Sequence, residues 1–151
     1  MTLLGLDPQP DGRQVWENNK SRTVLLAAGN GEYLHQFADG KVTPVAESSQ
    51  EMPGGGNLAR IISTSAANEA GQYAFTAELA DGSTAAYLLN VDGKLSLIAK
   101  SGMTTDLGVI TRIGAENAAT GIALNSKGQV ALVVAISAGP EILVLLAPLQ
   151  P

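Results

Sequence analysis

The sequence predicts an all-β fold of tandem four-stranded antiparallel meanders, propeller-like and either incomplete or completed by an oligomer; a β-sandwich or barrel of stacked sheets is the alternative. Three observations carry this. Residues 68–79, NEAGQYAFTAEL, return at 125–136 as NSKGQVALVVAI, and a blurred third copy begins at Asn18 as NNKSRTVLLAA, with Ser21 standing for the glycine and Leu25 for the phenylalanine. Asn-Gly and Asp-Gly pairs separate short alternating apolar runs, a strong local hairpin signal. No long stretch has helical periodicity, Val, Ile and Thr are plentiful, and the 17 glycines and 7 prolines are spread along the chain, as strands joined by turns require.

The repeated stretch has a direct physical reading. Asn at the head of a type I turn caps the backbone two residues on, and a glycine three residues later takes the positive φ that leads into the next strand. Gly71 and Gly128 are therefore expected at positive φ. From Gln72 the side chains alternate, with Tyr73, Phe75, Ala77 and Leu79 on one face and Gln72, Ala74, Thr76 and Glu78 on the other. In the later copy Val130, Leu132, Val134 and Ile136 oppose Ala131, Val133 and Ala135, so both faces are apolar. That pattern predicts a strand covered on both sides, one cover approaching closely over small residues.

In chain order, residues 3–6 read as a short strand, 7–12 as a turn-rich loop, and 14–16 as a second strand carrying Trp16, the only tryptophan, as a core anchor. The first unit continues with strands at 23–28, 32–37 and 41–46, turning at Gly29-Asn30-Gly31 and Asp39-Gly40. The second has strands at 75–79, 85–89 and 94–99, turning at Asp81-Gly82 and Asp92-Gly93. GEYLHQFADGKVTPVAE aligns with AAYLLNVDGKLSLIAK, matching Tyr33 with Tyr87, Leu34 with Leu88, Lys41 with Lys94 and Ala46 with Ala99. Loops at 47–57 and 100–108 lead to strands near 58–63 and 109–113. The repeat starts at 18, 68 and 125 are fifty and fifty-seven residues apart, the excess being an insertion at 114–120. Strands at 130–136 and 142–146 follow, dividing the chain into units of about 1–57, 58–109 and 110–151 within one repeat domain.

The length of 151 residues suits one domain with a sizeable core. The net charge of −5 and the scatter of nine Lys and Arg leave no basic stripe for a phosphate backbone, which argues against a nucleic-acid partner. Without cysteines there is no disulfide framework or thiolate metal site. The start, MTLLGLDPQPDG, has no basic region and no apolar core, so it does not read as a signal peptide. Only Ser137 and Glu141 are strongly polar between 130 and 149, but Gly139-Pro140-Glu141 divides this run into two strand-length pieces, so no transmembrane segment is expected.

The pattern Asn-x-x-Gly-x-Ala/Val-Ala-Phe, an aliphatic Tyr-Leu strand, an Asp-Gly-Lys turn and an apolar strand ending in Ala resembles bacterial tandem repeats named for their NxxGxxAF motif, found in "choice-of-anchor" surface proteins. Asn68, Gly71, Ala74 and Phe75 match fully; Asn125, Gly128 and Ala131 match with Leu132 in place of Phe. The resemblance implies an exported bacterial protein at the cell surface, with this chain a C-terminal part of a longer precursor. A cytoplasmic location stays open from the residues themselves.

The residues nominate no catalytic, cofactor-binding or metal-ligating set. His35 is the only histidine, too little for a metal site or a nucleophile triad. Asp7 and Asp11 lack a third carboxylate at calcium-ligand spacing. Met52-Pro53-Gly54-Gly55-Gly56 lacks the Gly-Lys-Ser/Thr ending of a phosphate loop and reads as a flexible linker. Asn19-Lys20-Ser21 is a sequon without evident use in a bacterial chain. The expected function is a non-enzymatic structural or binding module, presenting loops such as 47–57 to a glycan or protein; the alternative is a carbohydrate hydrolase or lyase on a propeller-like scaffold. Two and a half units leave strand edges and an apolar sheet face to cover, which predicts self-association, most simply as a two-fold homodimer.

Overall fold

The computed structural model describes residues 14–18, 23–28, 33–38, 41–65, 68–114, 122–137, 139 and 142–146. The strand expected at 3–6, the loop at 7–12, the sequon and most of the expected insertion lie outside the described residues.

The chain is all-β, and among the described residues it forms three antiparallel sheets. The first contains β1 (Gln14–Asn18), β2 (Thr23–Ala28), β3 (Tyr33–Ala38) and β4 (Lys41–Glu47) in that order. The second contains β5 (Leu58–Thr64), β6 (Tyr73–Leu79), β7 (Thr84–Leu89) and β8 (Leu95–Lys100) in that order. The third contains the short β9 (Thr104–Thr105), then β10 (Gly108–Ile113), β11 (Ala123–Leu124), β12 (Val130–Ile136) and β13 (Ile142–Leu146). Strands β10 and β11 are two halves of one interrupted strand. Ile113 pairs with Val134, the Gly114 N–H donates to the Val133 carbonyl at 2.7 Å, and Ala123 pairs with Ala131. Both halves thus pair with the same edge of β12, with ten residue steps from Ile113 to Ala123 set against three from Val134 to Ala131.

Five tight turns among the described residues share one hydrogen-bond scheme. The N–H of the fourth residue donates to the carbonyl of the first, and the N–H of the first donates to the carbonyl of the fifth. This holds at 52–56, 68–72, 79–83, 90–94 and 125–129. The fourth residue is Gly55, Gly71, Gly82, Gly93 or Gly128, at φ between 80° and 93°. A turn followed by a left-handed glycine is the geometry that only glycine enters without strain. In the two Asp-Gly turns, Asp81 and Asp92 each accept the N–H of the residue two further on, from Ser83 and Lys94. Both expected glycines therefore hold positive φ.

The sheets stack face on face with the second in the middle. On one side of it Tyr73, Phe75, Tyr87 and Leu89 pack against Leu34 and Ala46 of the first sheet and Met52 of the following loop. On the other, Ala74, Ala86, Leu88 and Ile98 pack against Ile110, Ile113, Val130, Leu132 and Val134 of the third. In β6 the residues toward the first sheet are mostly large and those toward the third small, whereas β7 and β8 also send Leu88 and Ile98 toward the third; burial of each large side chain is worth about 1.5–3 kcal/mol. A polar tie joins the stack, because Ile113 donates its N–H to the Thr84 hydroxyl at 2.7 Å.

Strand pairing corrects three sequence expectations. Strand β12 is fully buried on one face only: Val130, Leu132 and Val134 are buried, whereas Ala131, Val133 and Ala135 are half-buried. The loop after Asn18 is one residue longer than that after Asn68. Asn18 pairs with Thr23, and Val24 and Tyr73 each sit opposite the last paired residue of the following strand, Phe37 and Leu89. Leu26, not Leu25, therefore occupies the Phe75 register. The Tyr33–Tyr87 match is displaced by two residues, since Leu34 pairs with Ala46 at one β-bulge and Ala86 pairs with Ala99 at the equivalent one. A slip of two keeps every residue on its face, so the hydrophobic pattern gave no warning of it. The Lys41–Lys94 and Ala46–Ala99 matches stand.

Tyr87 stacks at 5.4 Å from Phe75 inside the first interface, and its hydroxyl is buried without a hydrogen-bond partner. Burial pushes the phenol from 10.0 up to about 12. Between those pH values the unfolded chain releases the proton and the folded chain keeps it, so stability falls as pH rises through that window. Tyr87→Phe removes both the orphan hydroxyl and this loss. In thermal melts it is expected to match or exceed the parent by up to about 1 kcal/mol near neutral pH, and to pull further ahead from pH 10 upward.

Candidate groove at the edge of the stack

After β4 the chain makes a compact loop in place of the expected flexible linker. Gln50 donates its N–H to the Glu47 carbonyl, Ser49 donates to the Leu58 carbonyl, and Leu58 donates to the Gln50 carbonyl. Glu51 and Asn57 form an isolated antiparallel bridge, and within it Met52 donates to Gly56 at 2.9 Å while Gly55 donates to Met52 at 3.0 Å. Gly54, Gly55 and Gly56 all hold positive φ, between 83° and 93°. Met52 is 2% exposed and anchors the loop in the core. The Lys100 ammonium clamps it from the second sheet, donating to the Gly55 carbonyl at 3.0 Å. A triglycine run reads as a linker by composition; what makes it a hairpin tip is close approach, since a Cβ on Gly54 would lie 2.5 Å from Leu97 and one on Gly56 would lie 2.9 Å from Leu79.

The second sheet carries the same device one unit later. Gly102 donates to Ile110 and Ile110 to Met103, as Ser49 does to Leu58 and Leu58 to Gln50; Met103 donates to Lys100 as Gln50 does to Glu47, and β9 pairs with β10. Gly102 sits at φ 95° and Ser49 at φ 71°, the one non-glycine at positive φ among the described residues.

Between the loop at 50–55 and the turn at 90–94 lies an open groove of about 630 Å³. Val45, Met52 and Leu95 supply its apolar lining, while Gln50, Glu51, Lys94 and the backbone of Gly54 and Gly55 supply polar groups. Asn90 shapes the far wall, its amide donating to the Lys94 carbonyl at 3.1 Å and the Ser96 hydroxyl at 2.9 Å. The groove thus juxtaposes a carboxylate, an amide and an ammonium above aliphatic surface, an arrangement suited to hydrogen-bonding an amphipathic ligand.

The remaining groups singled out in the sequence do other work. His35 Nε2 lies 3.9 Å from a Glu47 oxygen, away from the groove. Glu78 pairs with Arg60 at 3.1 Å. The Ser83 hydroxyl and N–H hold the Asp81 carboxyl below its usual range. Among the described residues no three of His, Cys, Asp and Glu gather at metal-binding distance. No helix among them is long and apolar enough to cross a membrane, and residues 130–136 and 142–146 form paired strands.

The molecule is thus an all-β stack of three antiparallel sheets with a polar groove at one edge. The chain belongs to the Family of unknown function (DUF7453), whose model matches residues 12–142. No curated protein and no solved structure matches it.

The loop that walls the groove is tested by paired substitutions. Gly55→Ala meets no neighbouring atom within 4 Å and is expected to cost about 1 kcal/mol, from positive φ alone. Gly54→Ala adds the collision with Leu97 and is expected to cost about 2–4 kcal/mol in urea unfolding.

Proposed function

We propose that this chain is a non-enzymatic, tandem-repeat β-module of an exported bacterial surface protein, propeller-like in arrangement, that binds a carbohydrate chain in the groove beside residues 50–55. The likeness of its Asn-x-x-Gly segments to the NxxGxxAF repeats supports the exported, surface-associated setting. The groove itself carries the binding reading: Gln50, Glu51 and Lys94 line it over Met52 and Leu95, pairing hydroxyl-recognising groups with an apolar floor. An enzymatic role has less support, because the described carboxylates with assigned partners are engaged in turns and cross-strand pairs, as Asp81, Asp92 and Glu78 are.

Amide chemical-shift mapping with a panel of bacterial and plant oligosaccharides tests this. The expected result is saturable shifts confined to residues 45–55 and 93–95 for at least one glycan, weakened about tenfold or more by Glu51→Gln or Lys94→Met, consistent with loss of a charged hydrogen bond. Shifts nowhere in the groove across the panel would reduce the module to a structural role.

A further inference from the structure

The two Asn-x-x-Gly turns are not merely alike; one is bonded to the other. Asn68 Oδ1 accepts the N–H groups of Ala70 and Gln72, and Asn125 Oδ1 accepts those of Lys127 and Gln129. Each side-chain amide also donates to a glutamine, Asn68 to Gln72 at 2.7 Å and Asn125 to Gln129 at 2.8 Å. Asn68 Nδ2 then makes one bond more, to the Asn125 backbone carbonyl at 3.0 Å. Beside it the Gln72 amide lies against Gly128, where a Cβ would sit 3.3 Å from Gln72 Oε1. The link is directional: the earlier turn donates a side chain and the later turn accepts with its backbone.

On the third sheet the donor side of this joint is repeated but only partly covered. Asn68 is buried and Asn125 exposed; Ala74 and Thr76 are buried, and Ala131 and Val133, six and eight residues after Asn125 as those are after Asn68, are partly exposed. The complementary covering face is a sheet's large-residue face. In the first sheet Leu34 and Ala46 face the middle sheet. By register, positions 24, 26, 28, 33, 35 and 37, filled in the sequence by Val, Leu, Ala, Tyr, His and Phe, lie on the opposite face from Leu34.

We propose that the outer face of the third sheet, with Asn125 as its donor, docks a second copy of this chain through that copy's first sheet, so that two chains close head to tail. The inference rests on reading the sheets as one repeating unit, but not on the groove. A closed pair holds six sheets, within the roughly four to eight blades that such arrays use, and each chain contributes one donor face and one covering face, so the assembly ends at two. A two-fold contact of third sheet on third sheet would instead oppose donor to donor and leave both Asn125 amides without the acceptor that Asn68 has.

Sedimentation velocity and light scattering on the full chain at about 1–100 μM test this. The expected result is a two-chain mass that does not grow with concentration. Val133→Glu, which places a charge in the joint, should weaken the pair at least about a hundredfold with unchanged circular dichroism. Asn125→Asp, which keeps the capping oxygen but removes the donor, should weaken it about tenfold. Oxidised Ala131→Cys should remain free of chain-to-chain disulfide, since residue 131 meets the partner's first sheet. A monomer throughout the range, a pair indifferent to Val133→Glu, or disulfide-linked Ala131→Cys pairs would each overturn the proposal. Glycan binding in the groove is read separately and is expected to survive Val133→Glu.

Discussion

The structure depends on one constraint: the middle sheet must be buried on both faces. A sheet in that position has no solvent side on which to place polar side chains, so alternation along its strands becomes a choice of size. Strand β6 reads Tyr73, Phe75, Ala77 and Leu79 toward the first sheet and Ala74 and Thr76 toward the third. Thr76 is the polar member buried in the strand, and its hydroxyl bonds to Ser63 at 2.7 Å. In this strand large residues mostly face one neighbour and small ones the other, and the small side meets Val130, Leu132 and Val134 of the third sheet.

Stacking also fixes where polar groups are allowed. They collect at the ends of the sheets, in turns that satisfy themselves: Asn68 and Asn125 cap their own loops, Asp81 and Asp92 cap theirs, and Thr84 and Ser101 exchange bonds where β7 and β8 meet. At the edge of the first interface the stack leaves a groove, because the loop after β4 reaches over the second sheet and is held there by Met52 from below and Lys100 from the side. The groove lies beside this loop, and some of the groups that line it also serve the loop, as Gln50 does in accepting the Glu47 N–H.

Most of the fold was legible in the residues. The strands from β1 to β8, with β10, β12 and β13, follow from period-two alternation bounded by Asn and Asp-Gly turns, and the insertion near Gly114 follows from the longer repeat spacing. The alignment of Tyr33 with Tyr87 slipped because a two-residue shift is invisible to a two-residue period. Cover over Ala131 and Val133 was read from apolarity alone, and apolarity does not say whether the cover lies within the same chain. The groove was not legible at all: Gly54 to Gly56 look like a linker until Leu79 and Leu97, distant in sequence, are seen to press on them. Single-residue turn chemistry is local and can be read; contacts between sheets depend on register and cannot.

Native-state hydrogen exchange tests the central claim most directly. If the doubly covered middle sheet holds the molecule together, amides of Tyr73–Leu79 and Thr84–Leu89 will exchange slowest, at rates set by global unfolding, and the outer strands β4 and β13 will open first. Slower exchange in either outer sheet than in the middle one would contradict the account.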